Sequence, residues 1–192
     1  MADDPRGGFV DRIEAIRERW HRLVADVGEE RMELPGAMGN WSFKDVASHL
    51  TAWRRRTIDR LEAAGRGDPS PPAPWPAELV GGEDDPINAW IHERTKNRPL
   101  SDVLAEADAT YDAFIAAVVA LPPEDATDPE RFDWLEDEAL VDPTSAAIWP
   151  STSQTSGDGW PAPRKAAGSS AVNDGRRGCL VRSRLRPWFA NN

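Results

Sequence analysis

Apolar side chains recur every three or four residues in three long stretches of the chain, and this spacing constrains the fold more than any other feature. The stretches are residues 9–27, 43–61 and 103–121. Their apolar positions are Phe9, Ile13, Ile16, Trp20, Leu23 and Val27, then Phe43, Val46, Leu50, Trp53, Thr57 and Leu61, then Val103, Ala107, Tyr111, Phe114, Val118 and Leu121. Such stripes predict amphipathic helices. Because no segment alternates convincingly between apolar and polar residues, we predict an all-α bundle.

The residues around the stripes predict where the helices begin and end. Ser42, followed three residues later by Asp45, resembles a capping arrangement for the second helix. Five prolines between residues 68 and 76 exclude a helix there and predict an extended crossover. Asp85 and Pro86 are typical of the first turn of a further helix.

Charge and cysteine content restrict the partners and the compartment. The chain carries 23 basic and 33 acidic residues, a net charge of −10, which disfavours nucleic acid and anionic membranes as partners. It holds one cysteine and no apolar run of the roughly 20 residues that a membrane-spanning helix needs. Its polar, acidic start differs from a signal peptide. We therefore expect a cytoplasmic protein.

The composition changes abruptly after Asp142. Residues 143–192 carry seven basic and two acidic residues and are rich in Ser, Thr, Gly and Pro, whereas residues 1–142 have a net charge of −15. The second segment has neither helical nor strand periodicity, and we predict that it is a disordered basic tail. A bundle over residues 8–142 then lacks its last long helix, unless the short run 132–141 begins one.

One histidine lies where a cavity in the bundle would expose it. His49 falls on the edge of the second stripe, four residues after Asp45 and four before Trp53. A half-buried histidine bonded to Asp45 or to a carbonyl is the simplest interpretation, and a ligand site is the alternative. His21 and His92 are predicted to be solvated. Nine tryptophans are present; core filling explains most, but an aromatic pocket would place Trp53 and Trp90 in its wall.

The stretch Gly39-Asn40-Trp41-Ser42-Phe43-Lys44-Asp45-Val46-Ala47-Ser48-His49-Leu50-Thr51-Ala52-Trp53 resembles the second-helix signature of the DinB-like (DinB/YfiT) superfamily. Residues 86–104 resemble the ClbS/DfsB branch of these four-helix bundles in particular. The resemblance covers about residues 8–142 and implies a DinB-like four-helix bundle.

The resemblance also implies chemistry. Relatives often hold a divalent metal (Zn, Ni or Fe) with three histidines, one from the second helix and two from the last, and some use a low-molecular-weight thiol. The first position matches His49, which would then serve as metal ligand and catalytic residue; no histidine follows His92 to supply the others. The ClbS/DfsB branch implies hydrolysis of a small reactive electrophile. Asp45, Trp53 and Trp90 would line the substrate pocket.

The break at Asp142 suggests that the tail is translated from a shifted reading frame. Read two bases later with GC-rich codons, residues 143–160 can encode an amphipathic helix containing His-x-x-x-His, as the last helix of this superfamily requires. The alternative is a natural basic tail that docks on an acidic partner or on the body of the chain itself.

Three functions remain open from the sequence. The chain is an enzyme acting on a small electrophile, as a hydrolase or a metal-dependent thiol transferase; or it is a non-enzymatic bundle that binds a small molecule; or it is an inactive product that lacks its last helix. In each case a homodimer would cover the apolar face that the lost helix leaves open.

Overall fold

Helices dominate the computed structural model, which describes residues 4–82, 84–135 and 138–142. In chain order they are α1 (Gly7–Val27), α2 (Phe43–Gly65), α3 (Asp84–Thr95), α4 (Leu100–Ala120) and the single turn α5 (Pro123–Thr127). The predicted all-α class is confirmed, and the three apolar stripes fall within α1, α2 and α4. Among these helices, none is both long and apolar enough to cross a membrane.

A two-stranded hairpin precedes α2 and was not predicted. Strand β1 (Pro35–Met38) pairs with β2 (Trp41–Ser42) in antiparallel register, with Met38 opposite Trp41. Gly39 adopts a positive φ of 58° in the connecting turn, a conformation that glycine tolerates without a Cβ clash. Strands of four and two residues are too short to show alternation, which explains the omission.

Helix α4 forms the centre of the described bundle. It packs against both α1 and α2, and all six predicted stripe residues, from Val103 to Leu121, are buried. Phe114 meets Phe9 of α1 edge to face, with ring centroids 6.2 Å apart. The apolar stripe of α4 is therefore buried along its whole length, because α1 and α2 both pack against this helix.

Helix α2 buries a different face from the predicted one. Phe43 and Leu61 are buried as expected, but Val46 and Leu50 are only half-buried. The buried positions instead include Ala47, Thr51, Ile58 and Leu61. Of these, Ile58 and Leu61 join Tyr111, Phe114 and Val118 of α4 in the main core.

Among the described residues there is no fourth long helix. Ile16, Trp20 and Leu23 of α1 are only half-buried. The run 132–141 begins with a 3₁₀ turn (Asp133–Leu135) in its described part rather than an α-helix, and Leu135 and Leu140 close one end of the core. The predicted tail, residues 143–192, lies outside the described residues.

Candidate functional site

A reciprocal cap fixes the start of α2. The Ser42 hydroxyl accepts the Asp45 N–H at 3.2 Å, and Asp45 Oδ2 accepts the Ser42 N–H at 2.9 Å and its hydroxyl at 2.7 Å. This confirms the predicted cap, with aspartate in the place where glutamate is usual. The cap occupies only one carboxylate oxygen of Asp45, so Oδ1 faces away from the helix start with its lone pairs available.

Oδ1 of Asp45 meets His92 on α3. The distance from Oδ1 to His92 Nε2 is 3.5 Å, and the two side chains are 13% and 27% exposed, respectively. The contact becomes an ion pair when the imidazole is protonated. The prediction that His92 is solvated holds only in part: water reaches the side chain, but α3 packs against α2 and brings this histidine to the capped carboxylate.

The indole of Trp41 orients two histidine rings. It stacks on His92 with ring centroids 5.2 Å apart and planes inclined by 8°, and it meets His49 in an edge-to-face contact at 5.5 Å. Trp41 lies in β2, one residue before the cap, so the hairpin holds its ring over the start of α2. Both imidazoles thus share one aromatic neighbour.

His49 is buried and neutral. Its side chain is 8% exposed, and burial lowers its pKa from 6.5 to about 4, although the negative charge of Asp84 opposes the shift. Nδ1 is enclosed and has no hydrogen-bond partner among the described residues. The sequence predicts a hydrogen bond from His49 to Asp45 or to a carbonyl. Asp45 instead bonds its own cap and contacts His92, and Nδ1 has neither partner among the described residues.

The ring of Trp53 also contacts the ring of His49. The two ring centroids lie 6.5 Å apart in an edge-to-face arrangement. The indole N–H of Trp53 donates to Asn88 Oδ1 at 3.0 Å, and its ring tilts against Trp75 of the proline-rich crossover at 4.9 Å. A residue from α3 and one from the crossover therefore hold Trp53 in place.

Trp90, which the sequence predicts to line the pocket, lies in α3. It packs at the edge of the apolar group formed by Trp75, Ile87 and Ile91, which also includes Trp53. The guanidinium of Arg94 sits 4.9 Å from its ring centroid. The ring contacts to His49 come from Trp41 and Trp53 instead.

We refer to Trp41, Asp45, His49, Trp53 and His92 as the aromatic–histidine cluster. It combines a neutral buried imidazole, a second imidazole facing a carboxylate, and two indole walls. Such a set can bind an apolar body against the indoles while polar atoms hold or exchange protons at the two imidazoles.

The described residues provide only part of the ligand set for the metal site that the resemblance implies. Among the described ranges, no three or more His, Cys, Asp or Glu side chains are grouped so that they could hold a metal ion. The orphaned Nδ1 of His49 is one suitable donor, whereas a catalytic zinc site usually needs three protein ligands. The other two expected histidines are absent from the sequence after His92. The residues present therefore do not fit the metal.

Sequence reasoning placed Asp45, His49 and Trp53 together, as the structure does, but it missed His92, Trp41 and Asn88 as members of the site. The spacing of Asn88 and His92 is the sequence feature that could have indicated them, because residues four apart share one edge of a helix. In the structure Asn88 contacts Trp53 and His92 contacts Asp45, so α3 runs antiparallel to α2 at this edge. His21 lies on the surface, as predicted, bonded to Asp108.

Comparison with known proteins gives one family. The family model described as the DinB superfamily matches residues 12–149, which is more than half of the chain. The match begins within α1, covers α2 to α5 and includes the whole aromatic–histidine cluster. No curated protein and no solved structure matches the chain.

Proposed function

Because the chain belongs to the DinB superfamily, we propose that it binds a small reactive electrophile at the aromatic–histidine cluster and inactivates it. Membership in the superfamily does not by itself specify an electrophile as the substrate, so this part is our proposal. The likeness of residues 86–104 to the ClbS/DfsB branch supports an electrophile as the substrate.

The observation that carries the proposal is the unpartnered Nδ1 of His49, whose ring contacts the indoles of Trp41 and Trp53. A buried polar atom without a hydrogen bond costs about 1–3 kcal/mol. A ligand that supplies the missing partner recovers this energy, so the position favours binding of a small molecule with a polar group. The aromatic walls, Trp41 and Trp53, would take up its apolar part.

The charge state of His49 fits such a role. With its pKa lowered to about 4, the imidazole is neutral near neutral pH and keeps one N–H and one lone pair. It can therefore bond an uncharged electrophile without introducing a charge into the pocket. A metal-dependent thiol transferase is less well supported, because the described residues lack the ligand set.

Styrene oxide tests the proposal, since it joins an aromatic body to an electrophilic ring. The full chain is incubated with styrene oxide in the presence and in the absence of glutathione. Chromatography measures the diol and thioether products, and quenching of tryptophan fluorescence measures binding. We expect saturable quenching and diol formation, both reduced at least about tenfold by His49→Ala. His21→Gln, an exposed histidine outside the cluster, is the control.

Each remaining outcome decides between the functions. Quenching without consumption would support the non-enzymatic binder and overturn the enzyme. Thioether formation that depends on glutathione would support a transferase. Neither quenching nor consumption, or equal values in wild type and His49→Ala, would contradict the proposal.

A further inference from the structure

The two histidines of the aromatic–histidine cluster differ in their exposure and in the groups around them. His49 is 8% exposed and, with a pKa near 4, is a weak base near neutral pH. His92 is 27% exposed, so water and a ligand can reach it, and it faces a carboxylate rather than an apolar wall. The more accessible histidine is therefore the better candidate for proton transfer.

The contact with Asp45 distinguishes the two nitrogens of His92. Nε2 lies 3.5 Å from the carboxylate oxygen, and the tautomer with its hydrogen on Nε2, which turns that N–H to the carboxylate and leaves the lone pair on Nδ1, is the one that the proposal below uses. No described residue donates a hydrogen bond to Nδ1. The Ser42 cap holds Asp45 in place, and Trp41 stacks flat on the imidazole, so both the direction and the plane of the ring are fixed.

We propose that His92 is the general base of this site, that Asp45 is its positioning residue, and that the reaction is the addition of water to the electrophile. The assignment rests on the proposed function. It goes further by assigning the base of the hydrolysis to a residue other than His49. The arrangement is an Asp–His pair built across two helices.

The step balances without a further reactant. His92 Nδ1 takes one proton from a water molecule as the water oxygen bonds to the electrophilic carbon, and in a strained ring the carbon–oxygen bond to that carbon breaks. The imidazolium, stabilised by Asp45, then returns the proton to the oxygen that was released. The products are the hydrated molecule and the original imidazole.

Acylation with diethyl pyrocarbonate tests the pair without a substrate. The reagent attacks unprotonated imidazole nitrogen, and peptide mass spectrometry gives a separate rate for each of the three histidines of the full chain. We expect Asp45→Asn to slow acylation of His92 by about tenfold, as the loss of an orienting carboxylate does elsewhere, and to leave His21 unchanged. Asp108→Asn should slow His21 alone, because Asp108 bonds that ring.

The cap provides a matched control. Ser42→Ala removes the cap hydroxyl and weakens the start of α2, but the backbone N–H of residue 42 still donates to Asp45 Oδ2, so the carboxylate stays beside His92 and acylation of His92 should stay near the wild-type rate. If Asp45→Asn leaves acylation of His92 unchanged, or if Ser42→Ala slows it as much, the pair is a structural contact only and the assignment is overturned.

Turnover separates this inference from the proposed function. With styrene oxide, His92→Gln should lower kcat by about a hundredfold or more while KM changes little. His49→Gln should act mainly on KM. If wild type shows no turnover, the proposed function and the role of His92 as base both fail. The acylation pattern would then support only the pairing of Asp45 with His92. If turnover survives in His92→Gln, His92 is not the base, although the proposed function stands.

Discussion

Replacing His49 with glutamine is expected to remove much of the acid sensitivity of folding. The imidazole is 8% exposed in the native state, and burial lowers its pKa from 6.5 to about 4. In the unfolded chain it is exposed to water and regains its ordinary pKa. Between these two values the unfolded state binds a proton that the folded state excludes.

The size and sign of the effect follow from this difference. Because the unfolded state binds more protons, the free energy of unfolding falls as the pH drops through the window from 6.5 to about 4. One pKa unit corresponds to about 1.4 kcal/mol, which gives a loss of roughly 3 kcal/mol once both states are protonated. At about pH 5 the loss is roughly 2 kcal/mol, and at about pH 7.5 it is negligible.

Urea unfolding at these two pH values measures the effect. Wild type should lose about 2 kcal/mol more than His49→Gln between them, since all other titrating groups are common to both proteins. Thr51→Val is a matched control, because it changes a buried neighbour whose hydroxyl lacks a partner but does not titrate. It should keep the wild-type pH dependence. Equal losses in wild type and His49→Gln would refute the burial of a neutral imidazole.

Four further predictions address the cap, the core and the chain end. Ser42→Ala should lower the free energy of unfolding by about 1 kcal/mol in urea, because the cap of α2 is lost. Phe114→Ala should lower it by about 3–5 kcal/mol, since the ring is 2% exposed. The single tyrosine, Tyr111, should ionise in an absorbance titration above its ordinary pKa of 10.0, because burial raises the pKa. The gene should encode, in a shifted frame after Asp142, a helix with His-x-x-x-His; if neither shifted frame does so, the frame-shift hypothesis is wrong.

Periodicity predicted the helices well because it records which side of a helix avoids water. The stripe of α4 is buried at all six positions, since helices on two sides cover it. On α2 the same reasoning chose Val46 and Leu50, yet Ala47, Thr51 and Ile58 are buried. The periodicity of one helix does not record which of its faces the neighbouring elements cover.

The candidate site was predicted only in part for a related reason. Asp45, His49 and Trp53 lie on one helix, so their spacing shows that they are neighbours. His92 comes from another helix, and its contact depends on how α3 packs against α2, which no local pattern encodes. Sequence periodicity does not indicate the hairpin that positions Trp41 either, because its two strands are too short to show alternation.

Nuclear Overhauser effects among the aromatic rings test the central claim most directly. The account holds that the start of α2 and helix α3 bring Trp41, His49 and His92 into one site. It predicts cross-peaks from the Trp41 indole to the ring protons of both histidines, which lie 5.5 and 5.2 Å away by ring centroids. Cross-peaks to neither histidine, or a His92 ring in contact with solvent alone, would contradict it.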